Sequence, residues 1–278
     1  MAKSALLKSS LAKKYWMALT GLFLCLFLVG HLIGNLQLLV PNNALNFNKY
    51  ALFMTTNPAV MALSYLTYAS IIFHAIDGAV LTYQNVKARP IGYAKNNPGA
   101  NSPWASRNMG ILGTVILVFI VTHMVTFWAP MHFDKNMPLQ TQTISMNGQT
   151  AEYYLTTDGS YLPKEQIDQK ALYIKNRTEF YSAQAHVKVK DGYKDLYKIT
   201  VAFFQDAKFG LVYTLLYVLS MVVLAFHLHH GFGSAFQSLG ANNPKYNGLI
   251  KGFGKGFAIV VPALFAIIPL YIHFMLKV

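Results

Sequence analysis

Long apolar runs separated by short polar ones make up most of the chain, and one long polar stretch, residues 130–206, interrupts the pattern. Five runs approach the ~20 residues a helix needs to cross the hydrocarbon core of a bilayer. They cover about Tyr15–Val40, Ala59–Tyr83, Met109–Ala129, Phe209–Phe232 and Phe257–Met275. The pattern predicts an all-α integral membrane protein: a bundle of five transmembrane helices with a polar external insertion between the third and fourth. Residues 1–278 then form a single membrane domain, with 130–206 as a small subdomain or hairpin cap. The first run is too long for a removable signal peptide and lacks its small-residue cleavage pattern, so it is read as the first span. Lys13–Lys14 ahead of Tyr15–Trp16 has the make-up of an interfacial anchor. Pro41–Pro58 reads as a short asparagine-rich loop. In the loop Gln84–Asn108, Pro90, Asn96–Asn97–Pro98 and Asn101–Ser102–Pro103 are turn signals that argue against continuous helix. Pro262 and Pro269 in the last run predict kinks.

Composition agrees. The chain is 54% hydrophobic and 12% charged, where a soluble domain carries about 25% charge. A net charge of +13 could point to nucleic acid, but its distribution points elsewhere. Nine of the ten acids lie between Asp134 and Asp206, balanced there by nine basic residues; Asp77 is the tenth. In the five-span arrangement, eleven of the other lysines and arginines fall on one side (Lys3–Lys14, Lys87–Arg107 and Lys245–Lys255). Only Lys49, Lys208 and Lys277 fall on the other. By the positive-inside rule the N-terminus is cytoplasmic, and the C-terminus and the insertion are external. A basic balance of this origin implies a lipid bilayer and no nucleic-acid partner. The single cysteine, Cys25, rules out an internal disulfide or a multi-cysteine iron–sulfur site. The insertion carries Tyr153–Tyr154, the turn signal Asp158–Gly159, and β-leaning stretches at Tyr173–Ile174 and His186–Val189. Asn176–Arg177–Thr178 matches a glycosylation acceptor, a triplet common enough by chance to carry no weight.

The chemistry lies in four histidines, His31, His74, His123 and His227, each in a different span. A metal-binding or ionisable side chain in hydrocarbon is costly and marks function by default. Counting along helices with a rise of about 1.5 Å per residue places His31 and His123 in the outer half and His74 and His227 in the inner half. Two imidazoles facing each other at one depth suit a bis-histidine haem without an open iron position, hence electron transfer. The same histidines could instead bond across helices or take copper or zinc. Gly78 and Gly231 each follow an inner histidine by four residues on the same face, and Gly30 and Gly34 flank His31. Such glycines either make room for a flat porphyrin or serve close helix packing. His230, one turn from His227, is the alternative ligand. His132, His186, His229 and His273 read as interfacial or satisfied histidines. Asp77, three residues after His74, either handles protons or contacts a quinone, or is bonded to backbone or water.

Phe27–Leu28–Val29–Gly30–His31–Leu32, Phe73–His74–Ala75 with Gly78, Thr122–His123–Met124, and Phe226–His227 with Gly231 and Ser234 resemble a known family. It is the dihaem cytochrome b membrane-anchor subunit of succinate dehydrogenases and fumarate reductases, in its single-chain five-helix form. The resemblance covers the five spans and implies two haem b groups, with His74 and His227 ligating the inner one and His31 and His123 the outer one. It further implies a quinone (menaquinone rather than ubiquinone), an iron–sulfur subunit, a flavoprotein subunit that holds the dicarboxylate site, and the cytoplasmic membrane of a bacterium. Aligned on Gly231 and Ser234, it selects His227 over His230. Lys13, Lys14 and Arg107 fit as haem-propionate or docking partners, although charge topology alone would explain them. The chain departs from the family where some members carry a glutamate before the fourth histidine; here Ala225 and Phe226 stand. No acid occurs in Pro41–Pro58, so proton and quinone residues do not transfer. Cytochrome b subunits of hydrogenases or formate dehydrogenases would fit the same histidines, and a haem-free transporter would require matched broken repeats.

Overall fold

A computed structural model describes residues 9–88, 90–91, 97–146, 148–241 and 243–277. Lys3, Lys8, Arg89, Lys95 and Asn96 from the charge and turn patterns lie outside the described residues. Helix α1 spans Ser10–Asn35 and tightens into a 3₁₀ turn, Leu36–Leu39. Helix α2, Ala44–Thr56, occupies the stretch expected to be a loop. Helix α3, Pro58–Lys87, starts where the Asn57 side chain accepts the Ala59 and Val60 amides and Pro58 fills the first helical position, where a missing N–H costs nothing. Single helical turns at Pro98–Asn101 and Trp104–Arg107 interrupt the next connection. Helix α4, Met109–His123, passes into a π-helical turn, Met124–Trp128, and a final turn, Ala129–Phe133. Helix α5, Leu196–Phe204, is capped by Asp195, whose carboxylate accepts the Lys198 amide. Helices α6, Gly210–Ser238, and α7, Pro244–Phe274, complete the chain.

The five long helices, α1, α3, α4 with its extension, α6 and α7, are each long and apolar enough to cross a membrane. Their outward surfaces carry Leu26, Ile33, Ile111, Val118 and Leu219, all more than half exposed, a surface suited to lipid and not to water. This is the make-up of a multi-pass membrane protein. Several helices outrun the hydropathy pattern: α7 begins thirteen residues before Phe257, because Asn243 accepts the Lys245 amide and Pro244 starts the first turn. Hydropathy registers hydrocarbon depth, whereas backbone hydrogen bonding carries the helix past it, through Lys245, Lys251 and Lys255. Pro262 and Pro269 lie buried inside α7, which runs unbroken through both.

Neighbour relations define a square. Helix α1 packs on α3, α3 on α4, α4 on α6 and α6 on α1, while α7 covers α6 and α1. The diagonals, α1 with α4 and α3 with α6, are not among the packed pairs. One end of the bundle carries α2, α5 and the strands (the strand end); the other carries Lys14, Arg107 and Lys245 (the lysine end).

Between α4 and α5 the chain leaves the helical class. Strands β1 (Thr141–Met146), β2 (Gln149–Leu155) and β3 (Tyr161–Pro163) form one antiparallel sheet. Strands β4 (Leu172–Lys175), β5 (Glu179–Ser182) and β6 (Lys188–Asp191) form another. The all-α description therefore holds for the spans and not for this segment, where β-branched and aromatic residues alternate with polar ones. Phe180, fully buried, packs on Tyr154 with ring centroids 5.2 Å apart, so a side chain of β5 seals against β2. Gly159, at φ +85, closes the turn expected at Asp158–Gly159.

Candidate functional site

Each histidine pair spans one diagonal of the square. His31 on α1 and His123 on α4 lie with ring centroids 5.8 Å apart and planes at 88°, toward the strand end. His74 on α3 and His227 on α6 lie 6.2 Å apart at 70°, toward the lysine end. Imidazole–metal bonds run about 2.0–2.1 Å and a ring nitrogen sits about 1.1 Å from its centroid, so two rings sharing one ion have centroids about 6.2–6.4 Å apart. Both observed separations fall near this range. The four side chains line one cavity of about 2250 Å³, more than twice the upper end of ordinary ligand pockets, about 300–1,000 Å³. Along α1, His31 lies ten residues from Gly21, which touches His74, so the two pairs are separated by about 15 Å of helix.

The surroundings test whether the residues fit a porphyrin. Gly30 and Gly231 line the cavity, and a Cβ built at either meets nothing within 4 Å, so each leaves a flat open stretch of wall. The Nδ1 atom of His227 is buried without a hydrogen-bond partner. A buried polar atom left unpaired is a place for a ligand or ion. Among the described residues no three His, Cys, Asp or Glu side chains gather to hold a bare metal ion. Two of the histidines are also oriented from behind. His74 Nδ1 lies 3.2 Å from the Met17 carbonyl and 3.3 Å from Thr20 Oγ1, and His123 Nδ1 lies 3.4 Å from the Tyr217 hydroxyl. Such contacts fix the tautomer and turn the other nitrogen toward a metal. The residues fit the group.

Other expectations sort differently. His230 lines the same cavity, but it bonds Ser234 Oγ at 3.2 Å, and the ring facing His74 is that of His227. His132 stacks on Trp128 at 4.3 Å, His273 Nδ1 contacts the Phe204 carbonyl at 2.7 Å, and His186 and His229 are exposed. Gly78 lines the cavity with Met17 Cε 3.8 Å from its would-be Cβ. A Cβ built at Gly34 would collide with the Tyr50 ring, so this glycine serves the close packing of α2 on α1. Asp77 is half-buried and is not among the cavity-lining residues. Lys14, Asn85, Arg107 and Gln237 line the lysine end of the cavity and make it polar.

Sequence reading missed Gly21 and Gly113. A Cβ at Gly21 would sit 3.2 Å from His74 Cε1, and one at Gly113 would sit 3.7 Å from His227 Cε1. The available signal was a small residue in the first and third spans at the depth of the inner histidines. Also missed was the π-helical turn that begins one residue after His123, a feature that gathers at functional sites. No protein-family model, curated protein or solved structure matches the chain.

Proposed function

We propose that this chain is the dihaem cytochrome b membrane subunit of a quinone-linked respiratory enzyme of the succinate dehydrogenase or fumarate reductase type. It carries electrons between a peripheral iron–sulfur subunit, itself joined to a flavoprotein, and a quinone (menaquinone) in a bacterial cytoplasmic membrane. The lysine end faces the cytoplasm and the strand end the exterior, as the positive-inside bias requires. The observation that carries this reading is the placement of two histidine pairs on the two diagonals of one four-helix square, both lining one cavity.

Bound haem supplies one-electron oxidation and reduction. The protein's residues do the rest. His31 with His123, and His74 with His227, would hold the two haems. Met17 and Thr20 hold the His74 ring, and Tyr217 the His123 ring. Most of the cavity wall is apolar. No dicarboxylate site is assigned to this chain.

The test is a dithionite-reduced minus oxidised spectrum of the purified, detergent-solubilised protein, with haem quantified per polypeptide. About two low-spin b haems are expected. Folded protein without haem, alone or with its partners, refutes the reading, and co-purification of a flavoprotein with covalent flavin separates the succinate type from hydrogenase or formate dehydrogenase types.

A further inference from the structure

The polar segment between α4 and α5 touches the bundle at two places, and both lie on the helices that carry the strand-end histidine pair or on their immediate supports. The first is a buried polar knot. Asn48 on α2, 1% exposed, donates to Gln140 and, at 2.8 Å, to the Asp195 carboxylate, and its carbonyl accepts the Tyr197 amide at 3.0 Å. Gln140 and Asp195 are buried as well. Helix α2 in turn presses Tyr50 onto Gly34, three residues from His31. The second is the end of α4. Arg177 donates to the His132 carbonyl, and the Lys194 ammonium to the Met131 carbonyl. These are C-terminal helix carbonyls with no partner inside the helix, and cations are favoured there. Lys194 is desolvated by burial, and Arg177 beside it adds repulsion; together they lower its pKa. Arg177 and Asn176 both sit in the left-handed region, at φ +72 and +49. Such backbone persists in non-glycine residues only where the surroundings determine it. None of Asn48, Gln140, Arg177, Lys194 or Asp195 lines the cavity.

We propose that this segment is a strap that positions the outer histidine pair: Asn48, Gln140 and Asp195 tie it to α2 and hence α1, and Arg177 and Lys194 tie it to the end of α4. The π-helical turn between His123 and the capped end makes the fastening matter. Met131 and His132 continue from His123 through this turn in one unbroken helical run, so what fastens them bears on the helix that carries His123. A further link, from Trp128 Nε1 to the Tyr68 hydroxyl at 2.7 Å, carries the restraint to α3.

The proposal rests on the haem reading above, and its test separates the two. In the whole chain, the double variant R177A/K194A is compared with wild type, with the charge-retaining R177K/K194R, and with R177G, which relieves the turn but removes the guanidinium. A redox titration followed optically gives two components, and the outer one is identified by its absence in H31A. Expected is a shift or loss of the outer component in R177A/K194A and R177G, an unchanged inner component, and recovery in R177K/K194R. Independently of haem, hydrogen–deuterium exchange at Val125–Phe133 is expected to rise about tenfold or more once the carbonyls lose their charged partners. Wild-type titration and exchange in R177A/K194A overturn the strap, as does loss of both components together. If wild type binds no haem, the proposed function falls, and the exchange data alone decide whether the strap fastens α4.

Discussion

Gly21→Ala tests whether the inner pair depends on close approach between α1 and His74. The new Cβ would lie 3.2 Å from His74 Cε1 and 3.6 Å from Nδ1, inside the optimal carbon–carbon separation of about 3.5–4.0 Å. Retreat of the His74 ring would break its contacts with α1, where Nδ1 lies 3.2 Å from the Met17 carbonyl and 3.3 Å from Thr20 Oγ1. Either the ring turns out of line with His227 or α1 and α3 move apart. Overpacking of this kind costs about 1–3 kcal/mol, offset by up to about 1 kcal/mol from replacing a helical glycine with alanine. The remainder, about 0–2 kcal/mol, corresponds to as much as about 30-fold weaker retention of the inner group. Gly113→Ala is the matched control. Its Cβ reaches His227 Cε1 at 3.7 Å, an ordinary contact, so only the helix-propensity gain applies. Haem per polypeptide and the inner component of a redox titration are measured for both. Equal or greater loss in Gly113→Ala, or loss of the outer component in Gly21→Ala, refutes the reasoning.

Other expectations follow from the same geometry. His74→Ala or His227→Ala removes the inner haem and His31→Ala or His123→Ala the outer one; two haems surviving in any of the four would break the pairing. Gly254→Ala brings a Cβ to 2.6 Å from Phe232 Cδ1 at the α6–α7 contact, so thermal unfolding in detergent is expected to show a loss of about 1–3 kcal/mol with both haems retained; an unaltered melting temperature would contradict that packing. In the strap, Lys190, Thr156 and Ser160 hold the Asp158 carboxyl well below the usual carboxylate range. A depressed folded pKa contributes stability above the unfolded value of about 3.9, and that stability is lost as pH falls through the lower folded value. Asp158→Asn therefore weakens exchange protection in the Thr156–Ser160 turn slightly at pH 7, since the site is exposed and screened, and removes the acid-dependent step. Parallel acid profiles for variant and wild type would count against it.

The bundle and its histidine pairs were legible because hydrocarbon imposes one rule. Apolar length fixes the spans, helical rise fixes depth, and depth alone sorted His31 with His123 and His74 with His227, the pairs that meet in the structure. What depth cannot supply is rotation. Gly21 and Gly34 lie on the same helix; one faces a histidine and the other the Tyr50 ring, and nothing local to either glycine separates them. Helix α2 was unreadable for another reason. Ala44–Thr56 sets Asn46, Asn48 and Lys49 among its apolar residues, and its helix is held by the Asn48 knot to residues 92 and 147 positions away. Contacts at that separation leave no local signature. Asn176–Arg177–Thr178 likewise reads as a chance triplet, because the carbonyl that Arg177 caps belongs to His132.

The size of the cavity ties the fold to its occupant. The cavity of about 2250 Å³ runs past both histidine pairs and is open along part of its wall. The square's diagonals are not among the closely packed helix pairs and meet through the histidine rings, so a group held by those rings and bound only by the folded chain would stabilise it by mass action. The two ends do not depend on it equally. At the strand end Leu38, Phe47, Val201, Phe204, Ile268 and Ile272 form a continuous buried cluster, and the cluster of Ala51, Met131 and Met137 adjoins it. At the lysine end the aromatic packing of Phe232 with Phe236, Phe253 and Phe257 joins α6 to α7 alone. Depletion of haem should therefore loosen the bundle from the lysine end: amides around His74 and His227 gain exchange first, while Leu38 and Phe204 stay protected. Uniform loss of protection along α1, which passes both pairs, would mean that the occupant and not the buried cluster holds the strand end together.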